Sequence, residues 1–386
     1  MNVVFLSPHF PTNYHLFCVH LRALGANVLG ICDQPYEQLH PALQSALTAY
    51  YFVPDLHDYD AMVRALGYFT YRYGKIDWID SLNEHWLEIE AQLRTDFHIE
   101  GIMNRDLPQI KRKSEMKRVF TSAGINTAPG QLAQTPQQAR AFAKEVGFPI
   151  IAKPDIGVGA KQTYKITNAE ELEAFLNYGL TGYFMEAYIP GVIQSFDGLV
   201  DHQGRLVFYI STQYSQGVME VVNTDSDVYY YTQRKTPTDL EGMGRTLVEA
   251  FQIRKRFFHF EFFRTPDNQL IALEVNMRPP GGLSIDLFNY ANDIDLYYEW
   301  ANVVVNHQFT AECTWPFHAC YAGRKHHRAY VSSHDDVLSQ YGQHIIHHQP
   351  MSEVFRRAMG DYGYIVRSPH LDEVITIATG IQAQSY

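Results

Sequence analysis

Glu274, Asn276 and Arg278 stand at alternate positions in the stretch LEVNMRPPGG. Residues two apart on a strand share a face, ~6 to 7 Å per step. An acid, an amide and an arginine therefore point one way, while Leu273, Val275 and Met277 take the other. Such a strand, greasy on one side and lined with metal-type ligands on the other, reads as an active-site wall rather than a solvated edge. The longer run RFFHFEFFRTPDNQLIALEVNMR carries Pro266, Asp267 and Asn268 between two strand-like segments, the pattern of a hairpin with a loop of about four residues. A loop from Pro266 to Gln269 pairs Phe263 with Ala272 and sets Glu261 opposite Glu274. Like charges directly opposite on a sheet repel. A hard divalent cation held by both carboxylates and the Asn276 amide oxygen would compensate them; so would a slipped register, or ion pairs with Arg264 and Arg278. The pattern alone does not choose between these.

A second candidate lies upstream. After the strand-like PIIAK, Lys153 is followed by Asp155, Gly157 and Gly159, so backbone can approach a ligand and offer N–H groups to phosphate. An ordinary glycine turn would look much the same, and the sequence is not the Walker pattern.

These residues need elements to hold them. The first hundred residues alternate strand and helix: NVVFLS, the helical YHLFCVHLRALG, NVLGICD, then KIDWIDSLN before EHWLEIEAQLRTDF. This rhythm predicts a parallel sheet with helices on its faces. No G-x-G-x-x-G follows the first strand, so a dinucleotide site there is unsupported. A cation-rich helix, KRKSEMKRVFTSAG, runs to Gly124, and TNAEELEAFLNYG is a helix capped by Asn168. From GYFMEAYIPG onward β-type segments dominate, among them RLVFYIST and FHACYAGR.

Composition narrows the function. The chain has 386 residues, 46% hydrophobic and 14% aromatic, with a formal charge of -11. That length implies two or three domains, and the acidic balance gives no footprint for nucleic acid. There is no run of 18 or more apolar residues, hence no expected membrane span. The apolar start lacks a basic leader and breaks at Pro8 and Pro11. Four cysteines without zinc-type pairing suit a reduced cytoplasm rather than a disulfide scaffold.

Taken in order, Lys113 ahead of a helix ending SAGI, then GFPIIAKPDIGVGA, MEAYIPG, Glu261 and EVNMR resemble the ATP-grasp superfamily, from about Lys113 to Arg278. The likeness is to the carboxylate-amine ligase type, with a grasp like that of biotin carboxylase or D-alanyl-D-alanine ligase. It implies a mixed α/β and α+β chain: a Rossmann-like domain preceding the grasp at 1–110, a lid subdomain with the glycine loop at 111–188, and a larger antiparallel-sheet subdomain with the metal site at 189–386. It further implies that Lys113 and Lys153 contact nucleotide phosphates beneath a lid running from Asp155 to Ala160. Glu186 and the Ile189 backbone fall at the hinge that reads adenine. Glu261, Glu274 and Asn276 match ligands of Mg²⁺ or Mn²⁺, and Arg278 matches the arginine that steadies the reacting group. Many relatives place a ribose-binding glutamate where this chain has Ile193, and Asp197 is the candidate substitute.

The expected activity is ATP-dependent formation of an acyl phosphate from a small carboxylate, which an amine then attacks. The amine is most plausibly that of an amino acid or peptide. A biotin carboxylase-like carboxylation is the first alternative, although no RRHQK-like motif lies between Asp197 and Glu261. A nucleotide-binding protein without catalysis is the second, opposed by the complete set of Glu261, Glu274, Asn276 and Arg278. Oligomeric state is left open, dimers being common among relatives. Weaker substrate candidates are Ser7 and His9 after the first strand, Gln233 to Thr236, and the cationic GRKHHRAY from Gly323 to Tyr330. The tyrosines of DVYYYTQ are read as packing.

Overall fold

The computed structural model describes residues 1–157, 162–179 and 182–385. The first sheet is parallel, with β1 (Asn2–Leu6), β2 (Asn27–Cys32), β3 (Ala49–Phe52) and β4 (Trp78–Asp80) in the order β3-β2-β1-β4. Every residue of β1 is buried, as a parallel strand covered on both faces requires. β3 is the strand the sequence pattern does not reveal, because AYYF is four residues long and lies half-exposed at the edge.

The second sheet is antiparallel, with β5 (Gly130–Ala133), β6 (Ile150–Pro154), β7 (Tyr164–Ile166) and β8 (Tyr183–Ala187) in the order β5-β8-β6-β7. Helices Pro136–Val146 and Ala169–Asn177 cover it, with Phe142 and Phe175 packed on Ile150, Ala152 and Met185. The cation-rich segment forms helix Lys113–Ser122, and its first residue, Lys111, ends a preceding short helix, Leu107–Lys111. Arg112 between them is extended.

The third sheet is antiparallel and carries β9 (Val192–Val200), β10 (Leu206–Tyr214), β11 (Tyr229–Gln233), β12 (Arg256–Arg264), β13 (Leu270–Asn276), β14 (His318–Arg324), β15 (Ile345–Pro350) and β16 (Tyr362–Ser368). Their order is β13-β12-β9-β10-β11-β14-β16-β15. Alternation along β12 divides two functions. Phe258, Phe260 and Phe262 enter the core beneath helix Thr238–Ala250, whereas His259, Glu261 and Phe263 face a cleft. β9, central to this end of the sheet, is obscured in the sequence by the polar residues Gln194, Ser195 and Asp197.

Two helices, Ser284–Asn292 and Leu296–Asn306, join the first and third sheets through one apolar core, in which Trp300 meets Phe17 at 5.1 Å between ring centres. A buried charge network spans that junction. Arg256 on β12 reaches Asp80 on β4 at 3.0 Å and donates to the Met277 carbonyl at 2.8 Å, while Arg94 pairs with Glu90 at 2.8 Å. The residue immediately before Arg278 is thus tied to the first sheet.

Candidate active site

The hairpin β12–β13 places Glu261 opposite Glu274, and His259 opposite Asn276. The path to that register differs from the sequence expectation. Phe263 pairs with Ile271, not with Ala272, and Phe262 takes Ala272. The connection runs from Thr265 to Gln269, one residue longer than expected, and a β-bulge between the Glu261 and Phe262 pairs absorbs the difference. A bulge changes the phase of a strand. Leu273 is therefore not on the core face with Val275 and Met277 but lines the cleft alongside Glu274 and Asn276.

Each of the two facing acids has a cation beside it. Lys113 Nζ is 3.5 Å from Glu274, and His259 Nε2 is 3.6 Å from Glu261. His259 in turn holds Asp197 through Nδ1 at 2.5 Å. Burial would lower the His259 pKa, but the Asp197 and Glu261 carboxylates more than reverse this and raise it to about 9. Burial would likewise raise Glu261; hydrogen bonding and charge from His259, with Arg278 and Lys153 farther off, hold it below the ordinary carboxylate range. Lys113 and His259, with Arg278 farther off, compensate the facing acids; the register is not slipped, and Arg264 takes no part. Arg264 instead pairs with Asp239.

The two carboxylates and the Asn276 amide put three hard oxygen donors on one wall. Such a donor set fits Mg²⁺ or Mn²⁺, which take oxygen ligands. Asn276 Oδ1 is 3.4 Å from Arg278, whose guanidinium also donates to the Pro279 carbonyl at 2.8 Å and lies 3.9 Å from Glu84.

Across the cleft sits a cluster of lysines. Lys153 on β6 and Lys117 on helix Lys113–Ser122 both pair with Glu186 on β8, at 2.5 and 3.0 Å. Burial opposes the Glu186 charge, but the two ammonium groups pull its pKa down to about 2. Lys117 is lowered by burial, with Glu186 partly restoring it. Lys113 reaches the Gly157 carbonyl at 3.2 Å. Asp155 does not line the cleft. It caps helix Lys113–Ser122 from the neighbouring loop, accepting from the Ser114 N–H at 2.8 Å, and its own carbonyl accepts from the Lys113 N–H. That cap fixes the Lys113 and Lys153 elements relative to each other.

The cleft has a volume of about 380 Å³. It holds Lys113, Lys153, Gly157, Glu186, Ile189, Glu261, Glu274, Asn276 and Arg278 together. Gly159 and Ala160 lie outside the described residues. Asp197 is a correction: its carboxylate is fully buried on His259 and Ser195 and does not line the cleft, whereas Ile193 does. Neither residue supplies the acid that a ribose would meet. Lys117 and His259 escaped the sequence reading although spacing marks both, one a helical turn after Lys113 and the other two residues before Glu261 on the same strand face.

The weaker candidates lie elsewhere. Lys325 and His327 pair with Asp225, Arg234 and His318 flank a separate open groove, and His9 contacts Cys32 and Asp33. Among the described residues, no helix is long and apolar enough to cross a membrane.

Residues 112–186 match the family model of the carbamoyl-phosphate synthase L chain, ATP binding domain. The chain is similar to the L-arginine-specific L-amino acid ligase of Bacillus subtilis, at 24% identity over 281 residues, 66% of each protein. Slightly less than two-thirds of that relative's length is thus matched. Among solved structures, L-amino acid ligase from Bacillus licheniformis superposes with a TM-score of 0.76 at 15% identity, covering 98% of this chain and 95% of that one. The biotin carboxylase domain of the Hydrogenobacter thermophilus 2-oxoglutarate carboxylase, in complex with MgADP and bicarbonate, does so with a TM-score of 0.70 at 16% identity, covering 97% and 88%. At these identities the structural likeness is one of fold.

Proposed function

We propose that this chain, an ATP-grasp protein, is an ADP-forming ligase that activates a carboxylate as an acyl phosphate and joins it to the amine of an amino acid or peptide-like partner. One observation carries the reading: the phosphate-sized group of lysines and the oxygen-donor wall of Glu261, Glu274 and Asn276 face the same cleft, with Arg278 beside them. Lys113 and Lys153 would meet the phosphates, and Lys117 would hold Glu186 between itself and Lys153. The backbone at Ile189 would meet adenine, and Ile193 would give ribose an apolar contact only.

Glu261, Glu274 and Asn276 would hold Mg²⁺, which would neutralise phosphate charge as it develops. A substrate carboxylate oxygen attacks the γ-phosphorus, the bond from phosphorus to the bridging oxygen breaks, and ADP leaves. The amine nitrogen then attacks the carbonyl carbon of the acyl phosphate. The bond to phosphate oxygen breaks, phosphate departs, and the nitrogen loses a proton. Arg278 is placed to meet negative charge on the transferring group in both steps. Water would hydrolyse the acyl phosphate, so enclosure of the cleft has a chemical purpose. The free cysteines, Cys18, Cys32, Cys313 and Cys320, suit a reduced compartment, and we place the activity in the cytoplasm.

The test is a screen of ATP turnover against pools of amino acids and small carboxylic acids. Substrate-dependent ADP and a new product mass are expected. AMP as the nucleotide product would overturn the acyl-phosphate route, and bicarbonate-dependent turnover without an amine would favour the carboxylase alternative.

A further inference from the structure

Beyond Arg278 the cleft changes character. Its described walls there include the end of β10, helix Val218–Thr224, β11, Gly281 after β13, and helix Glu353–Met359. Tyr214 and Tyr230 stand with ring centres 5.2 Å apart, and Tyr321 backs Tyr230 at 4.9 Å. Phe355 and Met359 close the opposite side. The glycine pair lies against that side. A Cβ at Gly281 would come within 3.1 Å of the Phe355 ring, and one at Gly282, where φ is +67°, within 2.5 Å of the Met359 sulfur. At Gly281 the Phe355 ring would have to give by a few tenths of an ångström, and at Gly282 the left-handed backbone, more than the flexible end of Met359, disfavours a side chain.

Two further observations bear on what this end accepts. The Tyr230 hydroxyl is buried beside the Ser284 hydroxyl, which donates to the Gly281 carbonyl at 2.8 Å, so the hydroxyl is not what this residue presents to the cleft. Counter-charge is sparse. The acids among the described lining residues are Glu186, Glu220, Glu261 and Glu274, of which Glu220 is exposed on helix Val218–Thr224; Asp286 and Asp197, whose charges act on Tyr230, do not line the cleft. A cationic side chain lying among Tyr214, Tyr230, Phe355 and Met359 would have aromatic and thioether groups for neighbours.

We propose that the carboxylate substrate is an amino acid with an uncharged aliphatic or aromatic side chain, seated between Tyr214, Tyr230, Phe355 and Met359 with its carboxylate toward Arg278. This rests on the ligase reading and sharpens it. It also sets the chain apart in substrate from the arginine-specific relative in Bacillus subtilis, because a guanidinium needs a free buried acid, and the acids among the described lining residues are either paired, as Glu186, Glu261 and Glu274 are, or exposed, as Glu220 is.

The test measures ADP formation by the whole chain with single amino acids: leucine, methionine and phenylalanine against arginine, lysine, aspartate and glutamate. The apolar set is expected to exceed the charged set in kcat/KM by on the order of a hundred-fold. Tyr230→Ala, which removes one aromatic wall, should lower kcat/KM for the preferred amino acid about ten-fold with Mg-ATP affinity unchanged. Phe355→Ala, which removes bulk from a half-buried site, should shift preference toward larger side chains. Preference for arginine or lysine, or an unchanged profile in both variants, would overturn the inference while leaving the ligase reading intact. Mg-ATP binding with no turnover on any carboxylate would overturn both.

Discussion

The two ends of one cleft are built on opposite principles. At the end proposed for nucleotide, charges are already paired with one another: Glu186 lies between Lys117 and Lys153, Glu274 beside Lys113, and Glu261 beside His259. At the far end the described walls are largely aromatic and apolar: Tyr214, Tyr230, Phe355 and Met359. The pairing keeps several buried charges in place at tolerable cost. The difference teaches that the first end is organised by charge before any ligand arrives, whereas the second offers shape and apolar surface.

The largest expected effect breaks the pre-paired end. Glu186→Ala would leave Lys117 and Lys153 buried without their anion, and removal of one member of a buried pair costs ~3 to 5 kcal/mol. Denaturant titration should show a loss of that order. A variant of wild-type stability would mean that the lysines are not held by Glu186 and that this end is no more organised than the other.

The next effect falls where the ends meet. By analogy with loss of one donor to a developing oxyanion, Arg278→Met should lower kcat by ~10² to 10³, or ~2.7 to 4 kcal/mol. Mg-ATP affinity should change little. If the arginine were only a structural partner of Glu84 and Asn276, the variant would instead lose stability and keep its turnover once folded.

A smaller effect concerns the oxygen-donor wall. Mg²⁺ with nucleotide at a hundred times its Kd should stabilise the wild type by about 2.7 kcal/mol, read as a rise in Tm. Glu274→Gln should lose most of that rise. A full rise in the variant would remove Glu274 from the metal site and leave its contact with Lys113 as its role.

The same contrast explains what was legible in the sequence. Glu261, Glu274, Asn276 and Arg278 sit on one hairpin, and an alternation of two reads out their common face directly. Even so, the β-bulge at Leu273 is silent in the sequence, because a hairpin loop one residue longer gives the same pairing of acids. Lys153 and Gly157 were visible as a strand followed by glycines. What Asp155 does was not, since its contact with Ser114 joins residues 41 apart in the chain. Asp197 looked available to ribose because nothing in SFDG shows His259 lying across the sheet from it. The apolar end is the least legible of all: Tyr230 and Phe355 approach the same space from positions 125 residues apart (355 minus 230), and apolar residues in strands and helices read as core wherever they fall.

Transfer of oxygen from substrate to phosphate tests the central claim most directly. Amino acids with carboxylates labelled by oxygen-18 would be turned over with unlabelled ATP and the released phosphate analysed by mass. If a carboxylate oxygen attacks the γ-phosphorus and the amine later displaces phosphate from the carbonyl carbon, each phosphate carries one oxygen-18 atom and the nucleotide product is ADP. Phosphate without label, released together with ADP and the condensed product, would contradict the account.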